Sequence, residues 1–319
     1  MLLALEAQIL RYYLSLFSFL LIFLYLIFLL FFKNINLDND IINIEKGEPT
    51  LLIINKITNN ENYFEKKFLN FIILITDKYY KPINYGKFLV KNNSNIIKIL
   101  KIITSKSNYN YKITIVEGWE KYQLNKYLHT YYNEIDDIPY NQLIANTYLI
   151  DSSNSFNDFA LFAYNYKKNF FDEYMDNKLI KEYGINNILI LASLIEKEGK
   201  DKYDKSLISS VILNRLNKNM RLQIDASVIA SITEGDYKLD RPLNIKDLKY
   251  KHPLNTYIID GIPSKMICYV GEETIKILLE NPKSDFLFYF YNILEKKHIF
   301  SKNFTEHRKR LNEYRKKIK

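Results

Sequence analysis

Residues 12–32 read YYLSLFSFLLIFLYLIFLLFF, 21 positions without a charge. As a helix rising about 1.5 Å per residue, the run is about 30 Å long, the thickness of the hydrocarbon core of a bilayer. Tyr12, Tyr13 and Lys33 stand at its ends, where interfacial anchors belong. A cleaved signal peptide has a shorter apolar core and a small-residue cleavage site, and the run has neither. The expectation is a retained single-span anchor behind a cytoplasmic tail of residues 1–11. The charge bias across it is weak, with Arg11 and the amino terminus against Lys33, Asp38 and Asp40. The shortness of the tail favours an N-terminus inside and the rest of the chain outside the cytoplasm.

Beside that anchor, 319 residues with 48% hydrophobic content hold one or two folded domains. The net charge of +9 is mostly Lys. It reads either as codon drift in an A/T-rich genome, which also fits the heavy use of Asn, Ile, Tyr and Phe, or as attraction to anionic lipid, cell-wall polymer or nucleic acid. There is no clustered Arg–aromatic pattern of a nucleic-acid reader, so no nucleic-acid partner is expected. A single cysteine, Cys268, excludes an intramolecular disulfide and leaves the redox compartment open.

Residues 33–118 read as a small α+β region. A short strand at 41–47 ends in a Gly turn, and Pro49 suits a first helical turn. Helices follow at 50–56, 61–75 and 96–104, with strands at 87–90 and 111–116. The region is either a plain folded spacer or a glycan-binding module. Residues 119–184 look helical, with aromatic-rich amphipathic stretches at 119–132 and 155–175.

An apolar run begins near Ile185 and closes as Leu191-Ala192-Ser193-Leu194-Ile195-Glu196-Lys197-Glu198-Gly199. It reads as a helix about three turns long. A carboxylate at the end of an apolar helix has two readings. It is desolvated, with a raised pKa suited to a general acid, or it is the first solvated residue of a fraying end. A second helix, 205–216, carries Asn214 and Arg215 within an apolar pattern. In residues 219–227, Gln223 and Asp225 alternate with Leu222 and Ile224, so both polar groups share one face of an extended segment. Asp225 either takes part in a site or caps the helix that follows. Residues 252–263, with Asn255 and Tyr257, make a polar loop with tight turns. Residues 286–291 form an aromatic strand, and 308–319 a basic amphipathic helix.

The order of these motifs resembles the endolytic murein transglycosylase family of the MltG/YceG type. The stretches that carry the resemblance are ITIVEGW (113–119), ANTYLI (145–150), LASLIEKE (191–198), VILNRL (211–216), MRLQIDASVI (220–229), NTYIIDGIP (255–263) and HIFSKNFTEH (298–307). The chain departs from the family pattern at Gly199, Ala226, 264–266 and 269–270.

The resemblance implies an α+β protein with an N-terminal transmembrane helix, a small LysM-like region at 33–118 and a mixed catalytic domain at 119–319. It implies a membrane-anchored lyase of the cell (inner) membrane, facing the extracytoplasmic side. Such an enzyme cleaves peptidoglycan glycan strands at MurNAc–GlcNAc bonds, leaves 1,6-anhydro-MurNAc ends and terminates glycan elongation. Its partners would be glycan strands, the membrane and peptidoglycan synthases. It needs no cofactor or metal.

The resemblance puts the catalytic glutamate on Glu196. Glu198 lies about 200° further around the helix, so both cannot face one cleft, and Glu196 adjoins the apolar run. Glycoside hydrolases ordinarily need two carboxylates. A lytic transglycosylase manages with one, because the muramic acid C6 hydroxyl attacks C1 of its own ring. Asn214, Gln223, Asp225, Asn255 and Tyr257 are the candidates to hold sugar hydroxyls and N-acetyl groups, with structural hydrogen bonding as their alternative. The competing readings of the whole chain are a catalytically silent peptidoglycan-binding anchor and a scaffold of a wall-synthesis complex.

Overall fold

The computed structural model describes residues 2–91 and 93–318, with the side chains of residues 2–7 left aside; Met1 of the expected tail and Lys319 of the expected C-terminal domain lie outside the described residues. The chain divides into two compact units. One comprises residues up to Lys112 together with Leu149–Asn154, and the other comprises Ile113–Tyr148 with Ser155–Lys319.

The first unit begins with α1 (Leu2–Phe31). It is unbroken from the expected tail into the apolar run, and Gln8–Phe31 is long and apolar enough to cross a membrane. Beyond it come β1 (Ile41–Ile44), α2 (Thr50–Thr58), α3 (Tyr63–Ile75), β2 (Gly86–Leu89) and α4 (Ile96–Ile103). Strands β1 and β2 pair antiparallel, Ile42 opposite Phe88. The alternation expected of a half-buried strand is met, with Ile42 and Ile44 buried and Ile41 and Asn43 exposed. Asn62 and Asn95 cap α3 and α4 by accepting from the backbone N–H of Glu65 and Lys98. The core gathers Ile53, Ile57, Leu69, Ile73, Phe88, Ile99 and Ile103.

The end of α1 packs into this unit. Leu29 is fully buried. The Tyr25 hydroxyl donates to Glu65 Oε1 at 2.9 Å. The Lys33 ammonium pairs with Glu61 at 2.6 Å and with Glu65.

The chain passes between the units in β3 (Asn110–Thr114) and, later, β4 (Thr147–Asp151), which pair with each other. The second unit holds α5 (Lys121–Leu128), α6 (Phe156–Asp172), α7 (Lys178–Glu198), α8 (Lys202–Asn217), α9 (Asp225–Thr233), α10 (Ile245–Leu248) and α11 (Glu272–Leu279). It closes with the antiparallel hairpin β5 (Phe288–Asn292) and β6 (Lys297–Ser301) and with α12 (Phe304–Lys317). The fold is thus mixed α+β, with small sheets and an N-terminal apolar helix.

Helix α7 is the axis of this unit. Gly184, at φ 77°, breaks it where the apolar run begins. A residue with a Cβ would be strained there. Every side chain from Ile188 to Ile195 is buried, so the helix is enclosed on all sides. Its neighbours are α8, α9 and α11. Residues 266–270, in the segment where the chain departs from the family pattern, form part of this core: Met266, Ile267, Cys268, Tyr269 and Val270 are all buried. The Ser193 hydroxyl donates to Ile190 O and accepts from the Ile267 N–H, so the one polar residue inside α7 is satisfied.

Candidate active site at the end of helix α7

The enclosure of α7 ends at Ile195, and the two glutamates that follow leave it in different directions. Glu196 turns toward the N-terminus of α11. Its Oε1 accepts from Lys205 Nζ at 2.6 Å, and its Oε2 accepts from Thr274 Oγ1 at 2.6 Å and from the Gly271 N–H at 3.2 Å. The side chains of Glu196 and Lys205 are 4% and 6% exposed. The backbone N–H of a helix start is a favourable partner for a carboxylate. Gly199 lets Lys205 reach this position: a Cβ there would lie 2.4 Å from Lys205 Cγ. Glu117 Oε2 stands 3.8 Å from Lys205 Nζ. Partial burial, followed by the nearby Glu196 charge, pushes the Glu117 carboxyl above its ordinary pKa. Glu117, Glu196 and Lys205, together with Asn146, Thr147 and Lys200, line an open cleft of about 600 Å³.

Glu198 faces α9 and the β5–β6 hairpin. It accepts from the Tyr289 hydroxyl at 3.3 Å and from the Ala226 N–H. Its pKa is raised to about 7. Burial is the main cause and the Asp225 charge adds to it, whereas the Tyr289 and Ala226 bonds oppose it and Asp204 raises it further. A carboxyl in this state holds a proton for a good part of the time at neutral pH, which general-acid work requires. Asp225 itself accepts from the Tyr257 hydroxyl at 2.6 Å. Ile224 occupies the N-cap of α9, and no side chain caps it, so the capping role open to Asp225 is not the one it takes. Asp204 is paired with His298, Oδ2 to Nδ1 2.7 Å.

The predicted polar residues divide accordingly. Gln223 and Asp225 are exposed while Leu222 and Ile224 are buried, as their alternation requires. Gln223 sits at φ 53° and accepts from Arg215 Nη1 at 3.3 Å. Buried Arg215 also donates to the carbonyls of Arg221, Leu222 and Leu287, which fixes the segment that carries Gln223 and Asp225. Tyr257 is half-buried beside Asp225.

Asn255 and Asn214 make the structural hydrogen bonds that were the alternative open to them. Asn255 is fully buried, donates to the carbonyls of Leu248 and Tyr250, and accepts from the Tyr257 N–H. Asn214 donates to Ser284 O and Phe286 O. The Asn255 amide thus holds the segment that follows α10, and the Asn214 amide nitrogen holds the approach to β5.

A sequence profile described as the YceG-like family matches residues 42–313. The chain belongs to the YceG-like family. A Bacillus subtilis (strain 168) protein named endolytic murein transglycosylase is 37% identical over 130 residues, 41% of this chain and 35% of that protein. A Streptococcus pneumoniae (strain D39) protein of the same name is 27% identical over 135 residues, 42% of this chain and 24% of that one. The chain therefore spans about a third or less of the curated relatives it matches. A solved yceG-like protein from Listeria monocytogenes superposes with a TM-score of 0.55 over 84% of this chain and 98% of its own, at 23% identity, which shows a shared fold.

Within this YceG-like chain, the stretches 113–119 and 145–150 supply Glu117, Asn146 and Thr147 to the Glu196 side. The stretches 220–229, 255–263 and 298–307 supply Asp225, Tyr257 and His298 to the Glu198 side. Sequence reasoning missed Lys205, Thr274, Tyr289 and the Asp204–His298 pair. The one signal for them was polar residues within otherwise apolar or aromatic elements, as with Arg215 in α8 and Tyr289 in β5. Among the described residues, no group of three or more His, Cys, Asp or Glu side chains converges to hold a metal ion.

Proposed function

We propose that this YceG-like chain is a lytic transglycosylase of peptidoglycan, with Glu198 rather than Glu196 as its acid. The observation that carries the choice is the contrast in hydrogen bonding. Both Glu196 oxygens act as acceptors, one of them from a buried ammonium. Glu198 is the carboxyl that burial and Asp225 keep protonated up to a pH of about 7. In this reading Glu198 protonates the leaving oxygen of a MurNAc–GlcNAc bond. The same carboxylate then takes the proton of the muramic acid C6 hydroxyl as that oxygen attacks C1. A 1,6-anhydro end forms and no water is consumed. Intramolecular attack supplies the effective molarity that a second carboxylate would otherwise have to provide. Gln223, Asp225 and Tyr257 hold the sugar, and Glu196 positions the end of α7 through Lys205. Support for the substrate comes from the names of the Bacillus and Streptococcus relatives.

The same reading takes α1 as a single span of the cell (inner) membrane, with the tail inside and the second unit, as catalytic domain, on the extracytoplasmic side; its apolar length supports this. Residues 33–118 are read as a LysM-like, glycan-binding region. Its small β–α–α–β arrangement over residues 41–89, closed by one antiparallel strand pair, supports that role. Wall synthases would be the partners of an enzyme that terminates glycan elongation.

The deciding experiment digests purified glycan strands with the full chain and weighs the soluble products. Fragments lighter than hydrolysed ones by one water are expected. Reducing ends would refute the transglycosylase chemistry, and no products at all would favour a silent wall-binding anchor.

A further inference from the structure

Helix α3 is apolar on two opposite faces. Leu69 and Ile73 are buried in the first unit, on the same side as the paired Glu65. On the other side, Phe64, Phe71, Leu74 and Ile75 are exposed, Phe71 to 57%. At 100° per residue these four fall within one stripe about 100° wide. Lys67 alone interrupts the stripe, and its ammonium lies 4.6 Å over the Tyr63 ring. The turn that follows α3, Thr76–Tyr80, adds Tyr79 and Tyr80, 74% and 85% exposed. A helix that is apolar all round is ordinarily enclosed by protein or by lipid.

The position of this face identifies what covers it. Phe64 stacks on Tyr25 of α1, with ring centroids 6.3 Å apart and planes at 28°. The stripe is therefore continuous with the apolar surface of the helix read as the span. If that span is counted from Tyr12, just after Arg11, about 20 residues bring it to Phe31. Tyr25 then lies about 9 Å below its upper end, within the roughly 5–10 Å depth at which interfacial helices bury their apolar face. The residue types agree: two Phe, three Tyr, and Lys67 and Lys78, each beside an aromatic ring. Aromatic rings favour the headgroup level, and Lys heads snorkel to it. The carboxylates of this region are bonded within the unit: Glu65 is buried and bonded to Lys33 and Tyr25, and Asp77 accepts from the Thr50 hydroxyl at 2.6 Å and from the Ile83 N–H at 2.8 Å, so neither carries an unpartnered charge into lipid.

We propose that the outer face of α3, with Tyr79 and Tyr80, lies in the lipid interface of the membrane that α1 crosses, so that the first unit is held flat against the bilayer. This rests on reading α1 as a span. The test uses the full chain with Cys268→Ala, reconstituted into phosphatidylglycerol–phosphatidylethanolamine vesicles. Single cysteines Ser18→Cys in the span, and Phe71→Cys and Tyr80→Cys on the face, carry an environment-sensitive fluorophore. Brominated lipid should quench the labels at 71 and 80 to an extent on the order of the label at 18, and aqueous iodide should reach all three poorly. Quenching at 18 with iodide access at 71 and 80 would overturn the proposal and leave the span standing. Iodide access at 18 as well would overturn the span and the proposal together. Labels at 71 and 80 shielded from both quenchers would mean that protein, such as a second copy, covers the face, and the proposal would again be wrong.

Discussion

Glu196 and Glu198 sit two residues apart on one helix and end in opposite chemical situations. On the Glu196 side, an anion meets a buried cation, a hydroxyl and a helix N-terminus. Every lone pair that matters has a protein partner. On the Glu198 side, a half-buried carboxyl meets another carboxylate, a tyrosine hydroxyl and one backbone N–H. Charge repulsion there is left uncompensated. Stability favours the first arrangement and proton transfer the second, because a group that must give and take a proton near neutral pH cannot be tied up in an ion pair. In the proposed reading the same helix end thus carries a structural carboxylate and a reactive one, separated only by the helical turn.

The largest effect should come from exchanging the two in function. Glu198→Gln keeps shape and hydrogen bonding but supplies no proton. General acid–base participation is typically worth about 10²–10⁴-fold, and one group serves both halves of the proposed reaction. Product release measured by mass should fall at least to the upper end of that range, with the thermal midpoint kept. If Glu198→Gln stays near native while a folded Glu196→Gln is dead, the comparison is reversed.

Next comes stability. Glu196→Gln leaves the Lys205 ammonium buried without its closest partner. Breaking a buried pair from one side costs about 3–5 kcal/mol, and the low end is expected because Glu117 Oε2 lies 3.8 Å away. Urea unfolding should record the loss, and adding Lys205→Met should recover most of it. An unchanged midpoint in the single variant would mean that the pair does not hold the helix end. Asn255→Ala should follow, at about 1–3 kcal/mol, because it removes a fully buried amide that bonds the carbonyls of Leu248 and Tyr250 and the Tyr257 N–H. Gln223→Ala, in contrast, should slow turnover and leave unfolding unchanged.

These contrasts also mark how far the sequence could be read. The apolar run, its start near Ile185 and the opposed directions of the two glutamates follow from helical periodicity, because that information is local. The alternation of Gln223 and Asp225 with Leu222 and Ile224 was legible for the same reason. Which glutamate the proposed reading makes the acid was not. The deciding partners, Lys205 and Thr274 against Asp225 and Tyr289, come from different elements, Tyr289 being 91 residues on from Glu198. Adjacency to an apolar run pointed to Glu196, but it could not show that a buried ammonium, Lys205, stands against that carboxylate. The hydrogen bonds of Asn255 and Asn214 were illegible for a related reason. An amide suited to a sugar hydroxyl is equally suited to a main-chain carbonyl, and only packing tells the two apart.

The finest test is of the cause of the Glu198 shift. In the proposed reading the acid form of Glu198 is the active one, so kcat/KM should fall as pH rises through about 7. Stability should move the same way. The folded pKa lies above the unfolded one, so the native state binds more protons between the ordinary carboxylate value and about 7. Its contribution to stability is full below that window and is lost as pH rises through it. Asp225 is the second cause of the shift, after burial. Asp225→Asn removes the repelling charge, keeps an acceptor for the Tyr257 hydroxyl, and should move the alkaline limb of the pH profile to lower pH. Loss of a sugar contact at Asp225 would lower the whole profile without moving the limb, so the limb position isolates the electrostatic role. A limb that stays in place would leave burial alone as the source of the shift. The Glu198 side would then differ from the Glu196 side in what it lacks, a cation, rather than in the second carboxylate it holds.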